Sequence, residues 1–197
     1  MDKGKKKEKI MKIFLTLFVL LFSSFVFADD ISDFRIEGIS VGDSALDFFS
    51  EKQIKENTWD YYDDKTFTPV QMDELSFFKI YDAVDFGYKT EDTNYIIHDL
   101  SGIIIYKNNI TDCYIKMDKI YIELSQLFKN AEILEKEVTP APFDSKSLKT
   151  DYTFLLNSGS VAVACYVYSK EHGGDDFLSV EIQTNEFYDW LVHKAYK

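Results

Sequence analysis

The stretch that most constrains the fold is TDCYIKMDKIYIELSQLFKNA, residues 111–131. Its apolar residues recur at spacings of three and four, the repeat of an amphipathic helix with one buried stripe. The stripe consists of Cys113, Met117, Ile120, Leu124, Leu127 and Ala131, broadened by Tyr121 and Phe128. Thr111 is a suitable N-cap for this helix. The pattern predicts one helix about 30 Å long, and such a helix must bury its stripe against another layer of structure.

The first 28 residues carry signals of a different kind. Several lysines precede an apolar run from Ile13 to Phe27, which closes on Val26-Phe27-Ala28 just before Asp29. A basic start, a short apolar core and small residues at the exit are typical of a secretory signal peptide. The alternative is an uncleaved anchor, but a membrane-spanning helix needs about 20 apolar residues and this run is shorter. We therefore predict residues 1–28 as a signal peptide, cleaved between Ala28 and Asp29.

The net charge of the remaining chain limits the classes of partner that it can bind. Six lysines and two acidic residues precede position 29, so the net charge changes from −12 for the whole chain to −16 for residues 29–197. Such a surface repels phosphate backbones and anionic lipid headgroups. We therefore expect no nucleic-acid partner and no membrane association after the signal peptide is removed. The sequence predicts one soluble, acidic, periplasmic domain over residues 29–197, of a length sufficient for a hydrophobic core.

Short alternating stretches on both sides of the long helix indicate antiparallel strands. They occur at 34–42, 84–88, 95–105, 151–156, 161–168 and 177–183, separated by turn residues. Ser50 with Gln53 matches a capping box for a short helix, and Thr184 is the predicted N-cap of a final helix. Residues 137–149 contain two prolines and are predicted as a loop or an irregular edge.

These elements predict an α+β fold. We expect an antiparallel sheet covered on one face by helices, or two such helix-plus-sheet layers in tandem. The second arrangement would divide the domain into halves at 29–110 and 111–197, because each half places helix before antiparallel strands.

Cys113 and Cys165 are the clearest candidate pair. Cys113 lies on the apolar stripe of the long helix, and Cys165 shares a strand face with Val161, Val163 and Val167. Both side chains point into one interlayer core if the helix packs on this strand. In a reducing compartment two buried thiols would be the expectation, but disulfides form and persist in exported proteins. We predict a structural disulfide between Cys113 and Cys165.

Two loops could carry binding chemistry. The segment WDYYDDK places Trp59, Tyr61 and Tyr62 among aspartates, which is compatible with a binding patch for a protein or small ligand. The alternative is that some of these rings pack inward. The segment EHGGDD offers His172 with three carboxylates, although its glycines and charges equally suit a solvated turn.

The sequence contains none of the common catalytic or nucleotide-binding motifs. His98 and His193 have no metal-ligand spacing with other residues. We therefore predict no catalytic residues, no metal site and no cofactor.

Several stretches resemble a known group of proteins: DDISDFRIEGISVGDSALDFFSE, DLSGIIIYKN, DCYIKMDKIYIELSQLFKNAE and TNEFYDWL. Together with the signal peptide they are similar to small secreted proteins of streamlined marine bacteria, which have no assigned activity. More distantly, IEGISVGDSALDFF resembles the opening of α+β modules in outer-membrane-assembly lipoproteins and β-lactamase-inhibitor-like proteins. That second likeness implies binding of other proteins, although this chain lacks the lipobox cysteine of the lipoproteins.

These observations favour a secreted or periplasmic protein that binds a protein or small ligand without catalysis. The alternative is a periplasmic hydrolase or metal-binding protein that uses the acidic and histidine-containing loops.

Overall fold

The computed structural model describes residues 30–60, 62–73, 75–107 and 109–196 of the 197-residue chain. The predicted signal peptide, its cleavage point at Ala28 and Asp29, and Tyr61 lie outside the described residues. In the described part, no helix is both long enough and apolar enough to cross a membrane.

The described chain forms one continuous antiparallel sheet of seven strands. In chain order the strands are β1 (Phe67–Asp73), β2 (Ala83–Lys89), β3 (Ile97–Tyr106), β4 (Glu132–Ala141), β5 (Asp144–Leu155), β6 (Gly159–Val167) and β7 (Asp176–Thr184). Their spatial order is β1-β2-β3-β7-β6-β5-β4. The three helices are α1 (Glu51–Glu56), α2 (Ile110–Leu127) and α3 (Asn185–His193), and two short 3-10 turns lie at Ile31–Asp33 and Ala45–Asp47.

One face of the sheet carries the main hydrophobic core. On this face, residues that lie opposite one another on successive strands from β1 to β6 are apolar. Examples are Met72, Val84, Val180 and Val163. Helix α2 packs its stripe on this face with Cys113, Met117 and Leu124 fully buried, as the spacing predicts. The N-terminal segment covers the rest of this face with Ile31, Ile36, Ile39, Val41, Phe49 and Ile54.

A disulfide links α2 to the sheet. The sulfur atoms of Cys113 and Cys165 lie 1.99 Å apart, with their Cα atoms 6.1 Å apart. Both residues have no exposed surface. The structure thus pairs the two cysteines that the sequence predicted to pair, and it does so inside the core between helix and sheet.

The predicted fold class is wrong. The described part of the molecule is dominated by its sheet and is not a helix-covered α+β fold. Two tandem layers are also wrong, because β3 of the first half pairs with β7 of the second and joins all strands into one sheet. The segment 137–149, predicted as a loop or an irregular edge, forms the end of β4 and the start of β5, an edge hairpin with shifts of register. Pairing along this edge hairpin overrides its proline and high charge.

The N-terminal segment also differs from its prediction. Residues 34–42 form a tight turn closed by a single Ile36–Ile39 bridge, not a strand. Glu37 and Gly38 both adopt positive φ values, 51° and 88°, which reverse the chain there. The Oε1 atom of Glu37 accepts hydrogen bonds from the backbone N–H groups of Lys79, Ile80 and Tyr81, at 2.9, 2.7 and 3.1 Å. One carboxylate therefore holds the N-terminal turn to the loop before β2.

The helix starts follow the predicted caps in two of three cases. Ser50 and Gln53 form the reciprocal hydrogen bonds of a capping box at α1. The Thr184 side chain accepts a hydrogen bond from the N–H of Phe187 at the start of α3. Helix α2 instead begins at Ile110, with Asn109 as its N-cap.

The two borders of the sheet are built differently. Residues 57–59 run beside β1, where Thr58 bridges Val70 and the N–H of Trp59 donates to the carbonyl of Pro69 at 3.0 Å. Strand β4 forms the other border, and its pairing with β5 is irregular between Leu134 and Glu137 and again at Pro140.

Candidate functional site

The two faces of the sheet differ in composition. The core face is apolar, whereas the second face carries many polar residues. We call this surface the polar face. Its members come from six strands: Gln71, Asp73, Asp85, Asp99, Ser101, Lys149, Asp151, Tyr166, Ser179, Glu181 and Gln183. Asp85, Ser101 and Glu181 lie opposite one another on three adjacent strands, and Asp99 lies opposite Gln183. The topology thus gathers acidic residues that are up to about 100 positions apart in sequence onto one surface.

Lys149 is held between two of these carboxylates. Its Nζ atom lies 3.5 Å from Oδ2 of Asp151 and 3.6 Å from Oε2 of Glu181. The Tyr166 hydroxyl donates to Oε1 of Glu181 at 2.9 Å, and the Lys149 Nζ atom lies 5.8 Å from the centroid of the Tyr166 ring. Burial acts to lower the pKa of Lys149, but Glu181 and Asp151 outweigh it and raise the pKa. The face therefore holds one ammonium group between two carboxylates and above an aromatic ring.

Asp85 and Asp99 do not take part in an ion pair of this kind in the described part of the chain. The pKa of Asp85 is raised from 3.8 to about 7, chiefly by burial; a hydrogen bond from Gln71 opposes the shift, and the charges of Asp73 and Glu181 add to it. Burial also raises the pKa of Asp99 well above its usual range, and Glu181 and Asp85 add to the effect. Within the described residues, the Oδ1 atoms of both are enclosed and lack a hydrogen-bond partner. An enclosed carboxylate oxygen without a partner is costly, so its persistence is a sign of a site.

Helix α3 closes one end of the polar face. A Cβ atom at Gly87 would lie 2.9 Å from the Phe187 ring and 3.4 Å from the Cβ atom of Asp99, so this glycine allows the helix to approach the sheet. Phe187, Phe67 and Trp190 form a second hydrophobic cluster there, with ring centroids 5.0–5.3 Å apart. The helix thus shields Asp99 from solvent, which accounts for the direction of its pKa shift.

Aromatic rings close the other end. The ring of Tyr166 stacks on Phe177 at 4.6 Å, and Tyr168 stacks on His172 at 4.9 Å. Phe143 packs beside Tyr166, Tyr168 and His172. Burial raises the pKa of the Tyr168 phenol, and the charge of Asp85 adds to the shift. The polar face therefore lies between an aromatic cluster at one end and α3 at the other.

The described residues of the predicted aromatic patch differ in their surroundings. The Trp59 side chain is 56% exposed. Tyr62 instead packs edge-on against Trp190 at 4.7 Å and against Tyr196 at 5.4 Å. The position of Tyr61 lies outside the described residues. Trp59 is thus open to solvent, Tyr62 packs against other rings, and the role of this patch in binding stays a prediction.

The histidine-containing loops also have structural roles. Gly173 and Gly174 adopt φ values of 73° and 111°, which fits the turn alternative for EHGGDD. His172 stacks on Tyr168, and burial lowers the pKa of His98, which lies 3.8 Å from Glu186. Among the residues that the structure describes, no group of three or more histidine, cysteine or acidic side chains is placed to hold a metal ion. The hydrolase or metal-binding alternative remains a prediction.

Sequence reasoning missed the polar face entirely. Asp85, Asp99 and Glu181 each alternate with apolar neighbours along a strand, and this pattern ordinarily indicates a solvated outer face. The one available signal was their location in strands that lie inside the sheet, with a neighbouring strand on each side. Without the strand order, that signal could not be recognised.

No protein-family model, curated protein or solved structure matches this chain. The resemblance to small secreted marine proteins and to assembly lipoproteins therefore remains a prediction.

Proposed function

We propose that this chain is an exported, non-catalytic binding protein that holds a small ligand on the polar face. The single observation that carries this proposal is the pair Asp85 and Asp99, each with an enclosed and unpartnered carboxylate oxygen on the same face. Groups with strongly shifted pKa values concentrate at binding and active sites. The neighbouring rings of Tyr166 and Tyr168 supply the apolar surface that small-molecule sites normally contain.

Export is supported by two independent features. The disulfide between Cys113 and Cys165 is stable outside the reducing cytosol. Residues 1–28 carry the basic start, apolar core and small-residue exit of a signal peptide. We propose the periplasm as the compartment and Asp29 as the first residue of the mature protein. Intact-mass measurement of the protein purified from its own cells tests this, and a mass that includes residues 1–28 would contradict it.

Ligand binding is tested by a thermal-shift screen of the purified protein against amines, sugars, amino acids and organic acids. At least one class is expected to raise the melting temperature of the native protein. The Asp99→Asn variant should lose that response, because it replaces one of the two carboxyl groups on which the proposed site depends. Asp47→Asn is the matched control, since Asp47 is exposed and far from this face. A screen without a response, or a response that Asp99→Asn retains in full, would count against the proposal.

A further inference from the structure

The carboxylates of Asp85 and Asp99, each with a hydrogen bond from a glutamine side chain to one oxygen only, are surrounded by like charge. The charges that act on Asp85 come from Asp73 and Glu181, and those that act on Asp99 come from Glu181 and Asp85. All of these neighbours are acidic. Lys149 also lies on this face, but it is already held by Asp151 and Glu181. The half of the face around Asp85 and Asp99 is therefore short of positive charge.

The other half of the face shows what this surface accommodates. There an ammonium group on an alkyl chain, Lys149 Nζ, lies between two carboxylates and 5.8 Å from the centre of the Tyr166 ring. Carboxylates bind ammonium through charge-assisted hydrogen bonds, and an aromatic ring adds a cation–π attraction. Asp85 and Asp99 likewise offer two carboxylates. Tyr168 is close enough for its phenol to respond to the charge of Asp85. The surroundings of Lys149 thus show how the half of the face with Asp85 and Asp99 would hold an amine.

We propose that the half of the polar face formed by Asp85 and Asp99 binds the ammonium group of a small organic amine. This inference rests on the proposed function and names its ligand class. The amine would occupy a position equivalent to that of Lys149 in the other half. The ammonium group would bind on the side of the two carboxyl groups that is open to solvent and supply a positive charge there, because the enclosed Oδ1 atoms are out of its reach.

An amine fits these residues better than a metal ion or a large partner. Calcium takes six to eight oxygen ligands, whereas an ammonium group has three donors. In the described part of the chain, no three acidic or histidine side chains converge as metal ligands. The side chains of Asp85 and Asp99 remain partly open to solvent, although one oxygen of each is enclosed. A slender alkylammonium ion reaches such partly buried groups more readily than a broad protein surface does.

Binding should depend on pH through the same carboxylates. The titratable groups that act on or respond to Asp85 are Asp73 on β1, Asp99 on β3, Glu181 on β7 and the Tyr168 phenol after β6, with Lys149 beyond Glu181. An amine needs Asp85 ionised, and the pKa of Asp85 is about 7 in the free protein. The ionised fraction of Asp85 falls about 30-fold between pH 8 and pH 5.5. Affinity for the amine should fall by a similar factor.

The experiment uses n-butylammonium, the side-chain analogue of lysine, with n-butanol as the uncharged probe of equal shape. Isothermal titration of the native protein at pH 8, at constant ionic strength, should show binding of n-butylammonium and none of n-butanol. Binding should weaken about 30-fold at pH 5.5. Asp85→Asn and Asp99→Asn should each weaken it at least about tenfold, as expected for loss of one charged partner. Asp47→Asn should leave it unchanged.

Several results would overturn this inference. Equal binding of n-butanol, an unchanged affinity at pH 5.5, or full binding by Asp85→Asn would each exclude an ammonium site at these carboxylates. Tighter binding of a blocked Gly-Lys-Gly peptide than of n-butylammonium would exclude a small amine as the intended occupant. If instead a sugar or organic acid from the thermal-shift screen binds and Asp99→Asn abolishes its binding, the amine assignment fails while the proposed binding function survives.

Discussion

The pKa of Asp85 gives a prediction about stability that can be worked through from the structure. Burial raises this pKa from 3.8 to about 7, so folding favours the protonated carboxyl. A group whose pKa rises on folding stabilises the protein fully below its unfolded pKa, and this contribution is lost as the pH rises through the folded value. For these two values, the free energy of unfolding should fall by about 2.5 kcal/mol between pH 5 and pH 8.

Replacing Asp85 with asparagine should remove that pH dependence. Asparagine keeps the shape of the side chain and a hydrogen-bonding partner for Gln71 but carries no charge. The free energy of unfolding of the variant should therefore rise relative to that of the native protein as the pH rises, by up to about 2.5 kcal/mol from pH 5 to pH 8. Asp99 shifts in the same direction, and the lowered pKa of His98 acts in the opposite direction. Both remain present in the variant, so only the difference between the two proteins isolates Asp85.

The measurement is urea unfolding followed by tryptophan fluorescence, since Trp190 is buried in the cluster beside α3. It should be made at several pH values from 5 to 8 with constant ionic strength and without added amine. Asp47→Asn is the control for a simple change in net charge. If the stability difference between Asp85→Asn and the native protein stays constant across this range, the carboxyl of Asp85 is already ionised in the folded state. The description of the polar face would then be wrong.

Three further predictions concern the frame of the molecule. Replacing both Cys113 and Cys165 with serine should lower the free energy of unfolding by about 4 kcal/mol, the chain-entropy value for a 52-residue separation; chemical denaturation measures this, and a loss below about 1 kcal/mol would contradict it. Gly159→Ala should cost about 3 kcal/mol in the same assay, because the new Cβ atom would lie 2.0 Å from the carbonyl oxygen of Gln183; an unchanged unfolding midpoint would refute the close approach. Glu37→Ala should cost about 2 kcal/mol at pH 7 by removing the acceptor of three backbone N–H groups. Its effect should shrink as the pH falls below 4.5, because the pKa of Glu37 is lowered despite its burial and its protonation removes the same acceptor; a pH-independent effect would contradict this role.

Local features of the fold could be predicted from the sequence because each depends on neighbouring residues. The stripe from Cys113 to Leu124, the capping box at Ser50 and the N-cap at Thr184 are short-range patterns with a direct physical cause. The cysteine pairing needed only one more step, the packing of helix on strand. These are the parts of the structure that the sequence predicted correctly.

The arrangement of the strands could not be predicted in the same way. The hairpin of β4 and β5 contains Pro140 and many charges, so its local preference is for a loop, and pairing with β6 decides otherwise. The polar face depends on strand order, which brings β7 next to β3 and so places Glu181 near Asp85 and Asp99. Long-range pairing of this kind leaves no periodic trace in the sequence.

The unequal borders of the sheet have a consequence for crowded conditions. A straight, unprotected outer strand is a template for addition of another chain, and addition of this kind leads to fibres. Here residues 57–59 occupy the margin of β1, while the register shifts of β4 and the missing N–H of Pro140 interrupt its margin. A molecule so rich in β-structure can therefore accumulate to high concentration without propagating its hydrogen bonds from one copy to the next.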